Sequence, residues 1–261
     1  MSAYSSPGLH LPRPGRALRL TLILLSACWL GLALGMNFLG LGADLVRAIV
    51  LSPDAVLGGQ VWRLFTSPLV HVWSGPGAIG HILTSLMGLY FLGVSLEDRW
   101  GAGRMGGFLV AAAASGGLLQ VLGTLLLPSF ASASGASGYF GAMALVEAVA
   151  VAWALQNRRA QVRLFFLLPV SGSVLLAIVV GFSVLHVITQ SGGPEGLFAP
   201  FGGMLSGWLL SDESPLRRHY LRWKLRRLNA ETQRYSKGAA PTLRSIDGGR
   251  APRRPSKYDL H

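Results

Sequence analysis

Charge is scarce in this sequence. Only 13% of its 261 residues are Asp, Glu, Lys or Arg, about half the share usual in a soluble globular domain. That deficit, with the apolar content below, excludes a disordered chain and argues against an ordinary cytosolic enzyme. Acidic groups are the rarer kind, 11 against 23 basic ones. Cysteine is almost missing. Cys28 alone excludes an internal disulfide and any cysteine-built metal site, and neither a metal nor a cofactor is expected. What is abundant is apolar: 51% of residues are hydrophobic and the mean hydropathy is +0.47.

Six apolar stretches are long enough to be read as membrane helices: Leu18 to Leu39, Ala78 to Leu96, Met105 to Leu127, Ala136 to Leu155, Leu164 to Thr189 and Leu197 to Leu210. The predicted class is all-α, a polytopic six-helix membrane bundle. Residues 1–17 form a cytoplasmic segment, 18–211 the membrane domain, and 212–261 a basic tail with a helical start. The first stretch follows Arg13 and Arg16 and has Arg19 at its start, but no A-x-A site closes it, so it reads as a retained helix, not a cleaved signal. Arginines also mark the second–third interval (Arg99, Arg104) and the fourth–fifth (Arg158, Arg159, Arg163), and 13 of the 23 basic residues lie after residue 211. The opposite intervals carry only Arg47 and Arg63. This alternation puts both termini in the cytoplasm of a bacterial inner membrane or an equivalent one.

The fourth stretch opens Gly135-Ala136-Ser137-Gly138. Small residues there serve close helix packing; a serine among them also suits a nucleophile. Other residues stand around it in a fixed order. Trp62-Arg63, His71 and His81 precede it, Glu97-Asp98-Arg99 closes the second stretch, and Gly202, Gly203 and Gly207 lie on the sixth. This ordered set, from about Trp62 to Trp208, resembles the rhomboid family of intramembrane serine proteases. The resemblance implies a six-helix bundle with a Ser–His dyad, Ser137 at the nucleophile position, and an oxyanion site built from the Ser137 backbone, His81 and Ser85. Serine stands at Ser85 where the family usually has asparagine.

One position breaks the pattern. The family's base histidine falls on Pro200, within Ala199-Pro200-Phe201-Gly202-Gly203, and no histidine occurs between His186 and His219. Proline cannot accept a proton, and losing the base of a serine hydrolase costs around 10⁶-fold. Pro200 also suits the first turn of a helix. His186, near the outer end of the fifth stretch, is the substitute base to weigh, although the resemblance makes that stretch a lateral gate.

Glu147 lies deep in the fourth stretch. An intramembrane carboxylate is a functional candidate by default, and the favoured reading is a neutral acid bonded to a neighbouring helix. Trp62 and Arg63 read as anchors of the outer loop, and Glu97 and Arg99 as a pair fixing the cytoplasmic end of the second stretch. Ser214-Pro215 signals a helix start. The basic run that follows places arginines all round that helix and points to anionic lipid headgroups; nucleic acid is not expected. Two functional classes follow: a relative that binds single-span or other membrane-protein clients with little or no cutting, and a serine protease with an unorthodox base. The missing proton acceptor favours the first.

Overall fold

The computed structural model describes residues 12–128, 138–159, 161–164, 168–191 and 193–238. Its helices are α1 (Arg16–Phe38), the short α2 (Ala43–Ile49), α3 (Pro53–Leu57) and α4 (Arg63–Thr66), then α5 (Ala78–Trp100), α6 (Ala102–Leu126), α7 (Met143–Gln156), α8 (Gly172–Ile188), α9 (Ala199–Leu210) and α10 (Pro215–Gly238). A 3₁₀ turn, Ser67–Leu69, follows α4. Between α7 and α8 lies a small antiparallel hairpin of β1 (Gln161–Leu164) and β2 (Leu168–Ser171).

Three helices, α1, α5 and α6, are long and apolar enough to cross a membrane. The helices α7 and α8 are apolar but shorter, at 14 and 17 residues, and α9 has 12. Two expectations are corrected here. The described part of the fourth stretch is not helical until Met143, because residues 139–141 spend their backbone groups on other segments. Tyr139 exchanges two hydrogen bonds with Leu51, and the N–H groups of Phe140 and Gly141 donate to the carbonyls of Pro194 and Ser67. The fifth stretch is not helical from Leu164 either. Residues 161–164 pair with 168–171 as the hairpin, so the class is mostly helical with one small sheet. Helix α8 starts only after Ser171, whose hydroxyl accepts the Val174 N–H at 3.3 Å.

Burial explains the packing order. In α1 the buried residues are Leu18, Leu25 and Leu32, one face at seven-residue spacing. Leu20, Ile23, Leu30 and Leu34 on its other faces are exposed, as they must be for a helix lying against lipid. In α7 nearly every residue from Ala144 to Ala154 is buried. A helix apolar on all sides belongs inside, and α5, α6, α8 and α9 all pack on it. Closest is α9: a Cβ added at Gly203 would strike the Ala144 carbonyl, and at Gly207 it would lie 2.5 Å from the Ala148 carbonyl. On the side facing α6, Ser115 Oγ donates to the Gly202 carbonyl at 2.8 Å. These glycines bring backbones together with no side chain between them.

The chain divides into two units, 1–218 and 219–261. In the first, Ser214 Oγ accepts the N–H groups of Leu216 and Arg217, capping α10. Asp212 beside it pairs with Arg104 at 2.7 Å and with Arg217, and accepts the Trp100 indole N–H at 2.8 Å. Within the second unit, the Arg227 guanidinium lies 4.9 Å from the centre of the Trp223 ring. The expected tail residues from 239 onward lie outside the described residues.

Candidate functional site

The interval between α1 and α5 is organised by one buried arginine. Arg63 donates to the Arg47 carbonyl at 2.7 Å, the Val50 carbonyl at 2.6 Å and Gln60 Oε1 at 2.8 Å. Thr66 Oγ1 donates to the Ile49 carbonyl, and the half-exposed Trp62 reaches the Ala48 carbonyl at 3.3 Å. These bonds take up carbonyls that the end of α2 leaves without helical partners. From α1, Trp29 Nε1 donates to the Val72 carbonyl at 2.8 Å and Asn37 to the Trp73 carbonyl at 3.1 Å. The segment carrying His71 is therefore held from two sides.

His71 is fully buried. Its Nε2 lies 3.2 Å from Ser85 Oγ on α5. Its ring meets that of His81 edge-on, with centroids 5.0 Å apart. Burial pushes the His71 pKa from 6.5 down to about 4, with the His81 ring adding to the shift and the Leu69 carbonyl and Glu195 opposing it. His81 Nε2 in turn stands 2.7 Å from Glu195 Oε1. That carboxylate is at ion-pairing distance but off the N–H axis. Glu195 reaches this position across Gly141, whose φ of +125° suits glycine and where a Cβ would lie 2.6 Å from Glu195 Cγ. Thus the structure brings His71, His81, Ser85 and Glu195 together near the N-terminal end of α5.

Pro200 is buried in the first turn of α9. The two N–H groups before it, Phe198 and Ala199, donate to Gln120 Oε1 at 2.8 and 3.2 Å. The start of α9 is thus satisfied by an amide from α6 and a proline that needs no acceptor. Ser137, with Gly135 and Ala136, lies outside the described residues; Gly138 is buried against Val50 and Leu51. A groove of about 320 Å³ opens beside it, mostly apolar, lined by Met36, Val46, Val50, Trp73 and Phe140 but also by Arg47. A larger cavity, about 650 Å³, lies elsewhere, an apolar cleft between α1 and α5 with Leu22, Leu30, Leu86 and Phe91 on its walls. His186 is exposed near the end of α8 and is not among the side chains gathered around His71 and His81.

Of two other expected residues, Glu97 sits differently from its reading, and Glu147 bonds to a neighbouring helix as its reading had it. Glu97 does not pair with Arg99. It is buried, and its carboxylate accepts the N–H groups of Ala17 at 2.8 Å and Leu18 at 3.0 Å. It caps the start of α1, where a negative charge is favourable, while Arg99 donates to Gln156 Oε1. Glu147 is bonded to a neighbouring helix: Ser183 Oγ on α8 donates to its Oε1 at 3.2 Å. Sequence reasoning missed Glu195 and Gln120. Glu195 is the single acidic residue between Glu147 and Asp212, a signal that was available. Gln120 carries the one side-chain amide of α6, and an amide in so apolar a helix must find a partner.

A rhomboid domain model matches residues 58–212, more than half of the chain. Among curated proteins, the chain is 30% identical over 100 residues to the inactive RHOMBOID-like protein 8 of Arabidopsis thaliana, covering 38% of this chain and 26% of that one. It is 25% identical over 166 residues to RHOMBOID-like protein 4 of the same plant, covering 63% of this chain and 37% of that one. The matches thus span about a quarter and rather more than a third of these relatives, and both being plant proteins, they lend no support to a bacterial host. With its apolar helices and the matched domain, the chain is an integral membrane protein that belongs to the rhomboid family.

Proposed function

We infer that this chain binds membrane-spanning clients in a rhomboid-type bundle and cuts them very slowly or not at all. The observation that carries this is Pro200 in the first turn of α9, the place where the family resemblance puts the base. Formation of a serine alkoxide at neutral pH needs a positioned proton acceptor, and α9 holds no imidazole. One relative being named inactive agrees with this reading. The shorter helices α7, α8 and α9 complete six spans with both termini in the cytoplasm, which the distribution of arginines supports. The groove beside Gly138 is apolar enough to take a client segment. The basic run of α10 binds anionic headgroups, each Lys or Arg contributing about 1 kcal/mol near the surface.

The second reading, a slow serine protease using Ser137, is favoured by one feature: an imidazole with a carboxylate beside it, His81 and Glu195. Purified protein in liposomes, given a labelled single-span peptide, tests both. The first reading expects capture without cleavage by the wild type, unchanged capture by Ser137→Ala, and cleavage appearing in Pro200→His. Wild-type cleavage that vanishes in Ser137→Ala overturns it in favour of the second, in which the base is an imidazole other than one on α9, His186 or His81.

A further inference from the structure

The apolar cleft of about 650 Å³ between α1 and α5 lies apart from the residues gathered around His71. Leu22 and Leu30 of α1 and Leu86 and Phe91 of α5 form its walls, and Ser26 and Tyr90 are the polar side chains among those that line it. The two helices close on each other at Gly93, where a Cβ would lie 3.2 Å from both Leu18 methyl carbons, and the cleft opens beyond that contact. Along α1 it runs from Leu22 to Leu30, about 12 Å at 1.5 Å per residue. The hydrocarbon of one leaflet is about 15 Å deep, so the cleft matches the reach of a lipid tail. A client helix crossing about 30 Å of hydrocarbon would find walls for less than half its length.

Cations stand at one end of the cleft. Arg19 lies on the cleft face of α1, one turn before Leu22 and Ile23, and Arg16 lies on that face one turn earlier; both are exposed. Tyr90 Oη donates to the Pro12 carbonyl at 2.7 Å, which ties the residue before Arg13 to the cleft wall. Arg13, Arg16 and Arg19 have no ion pair among the described residues. Two acids stand at the same end: Asp98, exposed two turns past Phe91, and Glu97, whose carboxylate is spent on the Ala17 and Leu18 N–H groups. Three cations against two acids leave this end net positive.

We propose that the cleft holds one tail of an anionic phospholipid, with the headgroup phosphate at Arg13, Arg16 and Arg19. Burial of the tail against leucine and phenylalanine supplies an affinity common to every lipid, and the arginines supply the choice among headgroups. The site is built without α10 and asks nothing of Ser137 or of a client. It needs only that α1 and α5 cross the bilayer, for which both are long and apolar enough.

The test places full-length protein in phosphatidylcholine vesicles at low salt. The probe, added at one mole fraction, is phosphatidylglycerol or phosphatidylcholine with a diazirine in its tail. After irradiation the labelled peptides are mapped by mass spectrometry. Residues 118–126 of α6, with Leu118, Leu122 and Leu126 exposed, serve as the reference surface. Relative to it, residues 22–30 and 86–91 should take roughly fivefold more label from phosphatidylglycerol than from phosphatidylcholine, the weight of one net cation. Arg16→Gln combined with Arg19→Gln should abolish this preference, and Asp98→Asn should raise it. Equal labelling by the two lipids in the wild type, or a preference unmoved in either variant, overturns the proposal. The wild type and Asp98→Asn decide if the double arginine variant does not insert. Excess soluble glycerol phosphate should leave the preference standing, because it has no tail; a preference that it removes puts phosphate alone at the arginines and overturns the lipid site. A single-span peptide bearing the diazirine that labels these residues and displaces their lipid label makes the cleft a client site and overturns it as well.

Discussion

At the scale of single residues, buried polar groups define this molecule more than its apolar ones. His71 is neutral in the folded protein because its ring is out of water and beside a second imidazole. Its pKa of about 4, against 6.5 for an ordinary histidine, sets a sign. Between those values the unfolded chain binds a proton that the folded one does not, so stability is complete above pH 6.5 and falls as the pH drops toward 4. The full difference corresponds to about 3 kcal/mol. The thermal midpoint in detergent should therefore decline through that window, and His71→Phe should flatten the decline; an equally steep decline in the variant contradicts the assignment. Gln120 makes a second case. Gln120→Leu strips two N–H groups at the start of α9 of their acceptor, at about 1–3 kcal/mol for buried donors left unmade. The expected sign is a lower midpoint, together with faster hydrogen exchange in the first turn of α9.

At the scale of elements, the α9–α7 contact shows why glycine spacing matters. Gly203 and Gly207 lie against the backbone of Ala144 and Ala148, and a backbone cannot move aside as a flexible side chain can. Gly203→Ala should therefore destabilise by about 1–3 kcal/mol, the usual cost of overpacking. A Cβ added at Gly181 on α8 would meet nothing within 4 Å, so Gly181→Ala should stabilise by roughly 0.5–1 kcal/mol through helix propensity. Opposite shifts in the two thermal midpoints are the outcome that supports this packing; a shared sign refutes it. The same elements show how local pattern is overruled. Residues 164 and 168–171 belong to a stretch apolar enough to read as helix, yet their backbone groups pair across the hairpin.

For the molecule as a whole, the expected outcome is an arginine-poor outer face and an arginine-rich cytoplasmic one. Because Cys28 is the single cysteine, a Cys28→Ala background permits a direct check. A cysteine at Asp54 should react with a membrane-impermeant thiol reagent on intact cells. A cysteine at Thr232 should react only after permeabilisation. The reverse pattern, or equal labelling, would overturn the proposed topology. The face of α1 carrying Leu20, Ile23 and Leu30 is exposed in the protein alone, and a lipid environment is what makes such exposure stable.

The class of the protein was legible from the sequence because composition, apolar run length and arginine placement are local properties that the membrane reads directly. That Pro200 offers no titratable group was legible too, since no fold can give proline one. The start of α9 was legible for the same reason, proline being fitted to a first helical turn. The tertiary structure alone decided which polar groups meet. Glu97 caps α1 from 79 and 80 residues away, Gln120 reaches Phe198 and Ala199 across 78 and 79, and Ser183 finds Glu147 across 36. Glu195 likewise comes to His81 from the far end of the bundle's sequence. No periodicity encodes such partners: a polar atom removed from water bonds to whatever the packing of apolar helices brings within reach.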